Sequence, residues 1–340
     1  MAINKKGIAF TLISILTATT ILTVAFIGDT TPADSYTDTL DLRRDTTDST
    51  TESFTQFFSY HVDRAMKETL TRLGNETLGA GSLYQQPGLP GKTAASTTIL
   101  NCYSHGRFTD PNGTAHDCYT IHNETQTLEV FAENYTQTNV DITPKNTVLS
   151  QSNAEHLDVT TTLQINAEDF TANTRSSSRQ TYAVPLNGLP DPMYRFEPNA
   201  SERPYEPNIT FTESLEGWSN ESIDRAIMNK WYVHWDEAPS YLQRLANDTT
   251  AKSNCCGITS IVNPQNVSNP NNHSHLDHQF WNGECGDDPK RIILGNVSDS
   301  ALYDADLNTR AIEGAILPID FIQDAGITNS NIWEDVNCTS

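Results

Sequence analysis

The chain has 340 residues, 36% of them apolar, and 43 acidic against 21 basic side chains give a formal charge of −22. Acid spread along the whole length repels polyanions, so a nucleic-acid partner is excluded, and the length allows one large domain or two ordinary ones. Only 8 of the basic residues are Lys, a balance suited to a halophilic surface, where concentrated salt screens the self-repulsion.

Lys5 and Lys6 are followed by an uncharged stretch from Gly7 to Ile27. A helix of that length just crosses a bilayer. Basic residues precede it, and Asp29, Asp34, Asp38 and Asp41 follow. The positive-inside rule then leaves the N-terminus in the cytoplasm and exports the rest. Residues 1–28 are read as a leader and single-pass membrane anchor, with a C-terminal extracellular ectodomain. A cleaved secretory signal fits less well, because the apolar run is too long and no A-x-A-type site follows. Residues 29–48, rich in Thr and Asp with Pro32, read as a polar linker.

Ser49-Thr50-Thr51-Glu52 has the form of a capping box. Behind it Phe54, Phe57, Phe58, Val62, Ala65, Met66, Leu70 and Leu73 recur at helical spacing, and Gly74 supplies a stop. Residues 81–97, punctuated by Gly and Pro, read as a loop. Alternation predicts strands in Cys118–Val130, His156–Ile165 and Gln180–Leu186. Prolines at 198, 204 and 207 suggest a boundary. Beyond it come a helix near Ser222–Trp231, a short helix over Pro239–Ala246, and strands around Gly257–Val262 and Arg291–Leu294. The expected class is α+β: a transmembrane helix and an amphipathic helix, then a β-rich, disulfide-containing ectodomain. Its domains are 49–195, a helix plus β-rich pilin-like unit, and 196–340, a C-terminal α+β unit.

Lys5-Lys6-Gly7, with Ile8-Ala9-Phe10-Thr11-Leu12-Ile13-Ser14 after it, resembles the class III-type leader of archaeal type IV pilins. The resemblance implies cleavage between Gly7 and Ile8 by a membrane peptidase, and a helix that anchors the subunit or packs in a filament. Ser14 stands where the family has Glu, and Gly7 lies two residues early. Gly188-Leu189-Pro190-Asp191-Pro192-Met193-Tyr194 and Ala238-Pro239-Ser240-Tyr241-Leu242-Gln243-Arg244-Leu245 resemble segments of uncharacterised pilin-like archaeal surface proteins. That likeness implies architecture and no known activity.

Twelve Asn-X-Ser/Thr sequons fit a glycosylated exterior: Asn75, Asn112, Asn123, Asn134, Asn199, Asn208, Asn220, Asn247, Asn266, Asn272, Asn296 and Asn337. Six cysteines, Cys102, Cys118, Cys255, Cys256, Cys285 and Cys338, read as disulfides outside the cell. Cys102 with Cys118 is the nearest pair. Cys255 and Cys256, strained if joined to each other, are expected to reach Cys285 and Cys338 separately, although 15 connectivities remain open.

Four motifs bear on chemistry. His273-Ser274-His275-Leu276-Asp277-His278 matches the H-x-H-x-D-H metal-binding run of metallo-β-lactamase-fold hydrolases. A loop rather than an apolar strand leads into it, no His follows, and 62 residues are too few for the rest of that fold. His273, His275 and His278 can still bind a stray transition ion. Asp304, Asp306 and Asn308 set oxygens at alternate positions, as calcium loops do, but Thr309 and Ala315 rule out an EF-hand. A structural Ca²⁺ is the one cofactor this allows. Gly91-Lys92-Thr93 lacks the first Gly of a phosphate loop, since Gln86 stands there. Trp231-Tyr232-Val233-His234-Trp235 reads as core rather than a sugar platform. No G-x-S-x-G occurs, and oxidised cysteines make no nucleophile. The expectation is an anchored extracellular surface glycoprotein, pilin-like and not an enzyme, serving adhesion, envelope structure or a minor filament role. Its partners would be the membrane, pilin-like subunits, and cell-surface or glycan ligands. The alternative is an anchored extracellular metal-dependent hydrolase using the His-rich loop.

Overall fold

The structure is a computed structural model, and it describes residues 49, 52–73, 91–109, 114–136, 138–168, 173–195, 208–211, 220–248, 252–262, 274–282, 288–293, 314–324 and 333–336. The fold is α+β. The leader with Gly7 and Ile8, the linker and the calcium-like loop lie outside these residues. Among the described residues no helix is long and apolar enough to cross a membrane.

Helix α1 covers residues 52–73. Its stripe is the one the spacing predicts: Phe54, Phe58, Val62, Ala65, Met66, Leu70 and Leu73 are buried, and only Phe57 is left at 37% exposure. Helix α2 runs Gly91–His105, which corrects the expected loop over 81–97 from Gly91 onward. Its buried residues, Ala95, Thr98, Ile99, Cys102 and Tyr103, follow helical spacing. Thr98 and Cys102 hid that period because neither counts as strongly apolar. The hairpin of β1 (Arg107–Thr109) and β2 (Ala115–Asp117) follows. Gly106 turns the chain into it at φ +74, where a Cβ would stand 2.8 Å from the Thr120 methyl. A Cys102–Cys118 disulfide closes this excursion across 16 residues, a loop length worth about 3 kcal/mol in chain entropy.

Helix α3 spans Ile121–Thr136 and corrects the strand expected over Cys118–Val130. Its buried face is Ile121, Glu124, Thr125, Leu128 and Ala132, a helical stripe in which two members are polar. Buried Glu124 is accepted because His61 Nδ1 on α1 lies 2.5 Å from its carboxylate.

Strands β3 (Asn139–Ser150), β4 (His156–Glu168) and β5 (Asn173–Pro185) form a three-stranded sheet in that order. In β4, Leu157, Val159, Thr161, Leu163, Ile165 and Ala167 are buried in strict alternation, as the sequence predicts. Asp141 meets Asn166, and Thr147 meets Thr161. Six steps along β3 thus match five along β4. The extra residue is a bulge at Asn146, whose φ is +53, and it flips the inward parity of β3.

The C-terminal elements are β6 (Thr210–Phe211), α4 (Asn220–Asn229), β7 (Trp231–His234), α5 (Tyr241–Leu245), β8 (Ile258–Thr259), β9 (Ile261–Val262), β10 (His275–Leu276), α6 (Asp277–Asn282), β11 (Pro289–Ile292), β12 (Ile316–Pro318), α7 (Ile319–Asp324) and β13 (Trp333–Asp335). One sheet has the order β6-β7-β8 and another β13-β11-β12-β10-β9, with β10 parallel to β12. Trp235, Ala238, Ile261, Leu276, Leu317 and Phe321 belong to one apolar cluster here. Of the aromatic run, Tyr232 and Trp235 are core, Trp231 is half-buried and His234 is exposed.

The described residues divide into two compact units. One takes those up to Val62 with Ile121–Thr147 and Thr160–Tyr182, and the other Asp63–Thr120, Val148–Val159 and those from Ala183 onward. In the first unit Phe58 of α1 meets the ring of Tyr182 on β5 edge-on at 5.7 Å. In the second, α2 packs on α5.

Candidate functional site

Three of the singled-out segments meet at one point inside the second unit. Asp191 comes from Gly188–Tyr194, Arg244 from Ala238–Leu245, and Asp277 from the His-rich run. All three side chains are fully buried.

Each is positioned by its local backbone. After β5 the chain turns at Gly188, with Ile209 N donating to Leu189 O at 2.7 Å. Asp191 then opens a 3-10 turn, Pro192–Arg195, its Oδ1 accepting from Met193 N at 3.0 Å. Helix α5 starts with a complete capping box: Ser240 accepts from Gln243 N, and Gln243 Oε1 accepts from Ser240 N at 2.8 Å. Every residue of α5 is buried, so Arg244 has no route to water. Asp277 follows β10 directly and donates its N–H to Ser260 O at 2.8 Å.

The guanidinium is shared between the two carboxylates. Arg244 Nε donates to Asp191 Oδ1 and Oδ2 at 3.2 and 3.1 Å, and Nη2 donates to Asp191 Oδ2. Nη2 also donates to Asp277 Oδ2 at 2.5 Å, and Nη1 to Ile258 O at 3.1 Å. Tyr232 Oη donates to Asp191 Oδ2 at 2.6 Å, and its ring lies 5.6 Å from the guanidinium carbon. Thr259 Oγ1 donates to Asp277 Oδ1 at 2.7 Å, and Ser260 Oγ to Oδ2 at 3.3 Å. Burial pulls the Arg244 pKa down, but Asp191 and then Asp277 outweigh it and hold it above its ordinary value. Burial, reinforced by Asp191, pushes the Tyr232 phenol well up. The guanidinium therefore stays charged, and the cluster is hydrogen-bonded and sealed from water. Its chemistry is cohesion: one cation ties three distant chain segments together.

The His-rich run is absorbed into this packing. His275 lies buried in β10, paired with Val262 and Ile316. The His278 ring packs tilted against Trp235, with ring centroids 4.9 Å apart, and burial lowers its pKa to about 4. His273 lies outside the described residues, as do Asp304, Asp306 and Asn308. Among the described residues no three His, Cys, Asp or Glu side chains converge to hold a metal.

Cys255 and Cys256 are joined to each other, which corrects the expectation that each would reach another cysteine. The turn makes this pairing possible. Asn254 takes φ +61, and Ser253 Oγ accepts from the N–H groups of both cysteines at 3.4 and 3.1 Å. Cys285 and Cys338 lie outside the described residues. Of the sequons, Asn123 and Asn134 are exposed on α3, Asn208 is exposed beside β6, and Asn247 is exposed just past α5. Asn220 begins α4. Asn75, Asn112, Asn199, Asn266, Asn272, Asn296 and Asn337 lie outside the described residues.

Sequence reasoning gave no role to Asp191, Arg244 or Gln151. One signal was available: an Arg between Leu242 and Leu245 in a short helix with apolar flanks needs a buried acid. Set against known proteins, the chain matches no family model, no curated protein and no solved structure.

Proposed function

We propose that this chain is an extracellular, membrane-anchored surface glycoprotein of pilin-like plan, with an adhesive or envelope role rather than a catalytic one. The observation that carries the reading is the pairing of α1 with the β3-β4-β5 sheet, through Phe58 on Tyr182, behind an apolar N-terminal stretch. An amphipathic helix laid on an antiparallel sheet is the plan the pilin resemblance implies. The exposed Asn123, Asn134, Asn208 and Asn247 support a glycosylated exterior. The sealed Arg244 cluster supports a robust head whose most conspicuous polar residues serve cohesion. With Ser14 in place of the family's Glu, the protein acts as a lone anchored subunit or a minor filament component.

The test uses intact cells and native membranes. Protease added outside should remove the ectodomain, and intact mass with N-terminal sequencing should show glycan increments and a mature start at Ile8. A fully protected C-terminal half refutes the topology. Purified filaments dominated by this chain refute the minor role.

A further inference from the structure

We propose that Cys255–Cys256 is a reversible redox site, opened by a dithiol reductant, whose state sets the order of the turn that holds Arg244. Three observations carry this, and none depends on where the chain is anchored.

The first is topology. A disulfide between neighbours closes almost no loop, so it takes little conformational freedom from the unfolded chain. Its effect is local, on the turn 253–257. Cys102–Cys118 closes a loop of 16 residues, with Cys102 fully buried and Cys118 half-buried. Cys255 is exposed while Cys256 is buried. An attacking thiolate therefore reaches one sulfur of this pair, and the other is the leaving group.

The second is what faces the sulfurs. Cys256 Sγ lies 3.1 Å and Cys255 Sγ 3.9 Å from the same carbonyl, that of Gln151. A disulfide sulfur has no proton to give that oxygen. A Cys256 thiol does, so the reduced form has an acceptor waiting.

The third is the connection to Arg244. Gln151 Nε2 donates to Cys256 O, and Gln151 Oε1 accepts from Leu242 N in the first turn of α5. Gly257 follows the pair, and a Cβ there would lie 2.1 Å from Trp235 O and 2.3 Å from Ala238 O. The next carbonyl, Ile258 O, accepts from Arg244 Nη1. Only Gly257 stands between the disulfide and the residue that binds the guanidinium.

The step balances as thiol–disulfide exchange. A thiolate of the dithiol attacks Cys255 Sγ, the Sγ–Sγ bond breaks, and Cys256 leaves as a thiolate that takes a proton. The dithiol's second thiolate resolves the mixed disulfide and frees Cys255. The protein gains two electrons and two protons, and the dithiol becomes its own disulfide.

The experiment takes the folded full-length chain and titrates it with dithiothreitol, reading each cysteine by differential alkylation and mass spectrometry. Cys255 and Cys256 should open before Cys102 and Cys118. Phenylarsine oxide, which bridges adjacent thiols, should then add once, at that pair. Amide exchange at Gly257–Ser260 and Leu242–Leu245 should accelerate on opening and recover on reoxidation. In the variant Cys255→Ser/Cys256→Ser it should be fast and indifferent to dithiothreitol. Should that variant fail to fold, the wild-type reduction and reoxidation cycle still decides. Opening of Cys102–Cys118 first, no arsenical at 255–256, or unchanged exchange after opening would each overturn the proposal.

Discussion

Replacing Arg244 with Met tests the central reading of the fold. Met keeps much of the volume, so the cavity left behind is small. What disappears is the charge and its hydrogen bonds to Asp191, Asp277 and Ile258 O. Two fully buried carboxylates are left facing each other with no cation between them. Removing one partner of a buried pair costs about 3–5 kcal/mol. With a urea slope of roughly 2–3 kcal/mol per M, the unfolding midpoint should fall by about 1–2.5 M. The loss should be nearly the same in dilute and molar salt, because ions screen buried pairs weakly. Adding Asp191→Asn and Asp277→Asn should restore part of the stability, since no unpaired charge then remains. A midpoint loss equivalent to less than ~1 kcal/mol for Arg244→Met, or strict additivity of the three changes, would refute the claim that this cluster holds the C-terminal segments together.

Gly257→Ala sets a methyl against two backbone carbonyls, and should cost about 3 kcal/mol or more in urea unfolding, the upper end for overpacking. Tyr182 is buried against Phe58, its hydroxyl has no partner among the described residues, and burial pushes its pKa up to about 12. Tyr182→Phe should therefore be neutral or stabilising by ~1 kcal/mol in the same assay. His278 is held neutral by burial, at about 4 against 6.5 in the unfolded chain. The unfolded state takes up the proton first, so stability should fall from pH 6.5 toward 4 by up to ~1.4 kcal/mol per pH unit. His278→Gln should flatten that slope between pH 6.5 and 5, as read from urea midpoints across the range.

Much of the fold was legible because some segments carry a clean period. The stripe of α1 and the alternation of β4 each name their buried face. Where the buried face includes polar residues, the period fails to show. Thr98 and Cys102 masked α2, and Glu124 and Thr125 masked α3, because their burial depends on partners far away in the chain. Glu124 is buried with His61 beside it, and no local pattern states that pairing.

The sequence by itself determined composition, charge, the apolar N-terminal run, the sequons and the local helical and strand signals, since each depends on neighbours within a few positions. Only the tertiary structure decided what the tempting residues do. Asp191, Arg244 and Asp277 are far apart along the chain, and their meeting is set by how the turn after β5, helix α5 and the start of α6 pack together. The same long-range packing put His275 in a strand and His278 on Trp235, and it brought Gln151 to the Cys255–Cys256 turn. A buried charge is tolerable only once all its partners have arrived, and that condition belongs to the folded chain as a whole.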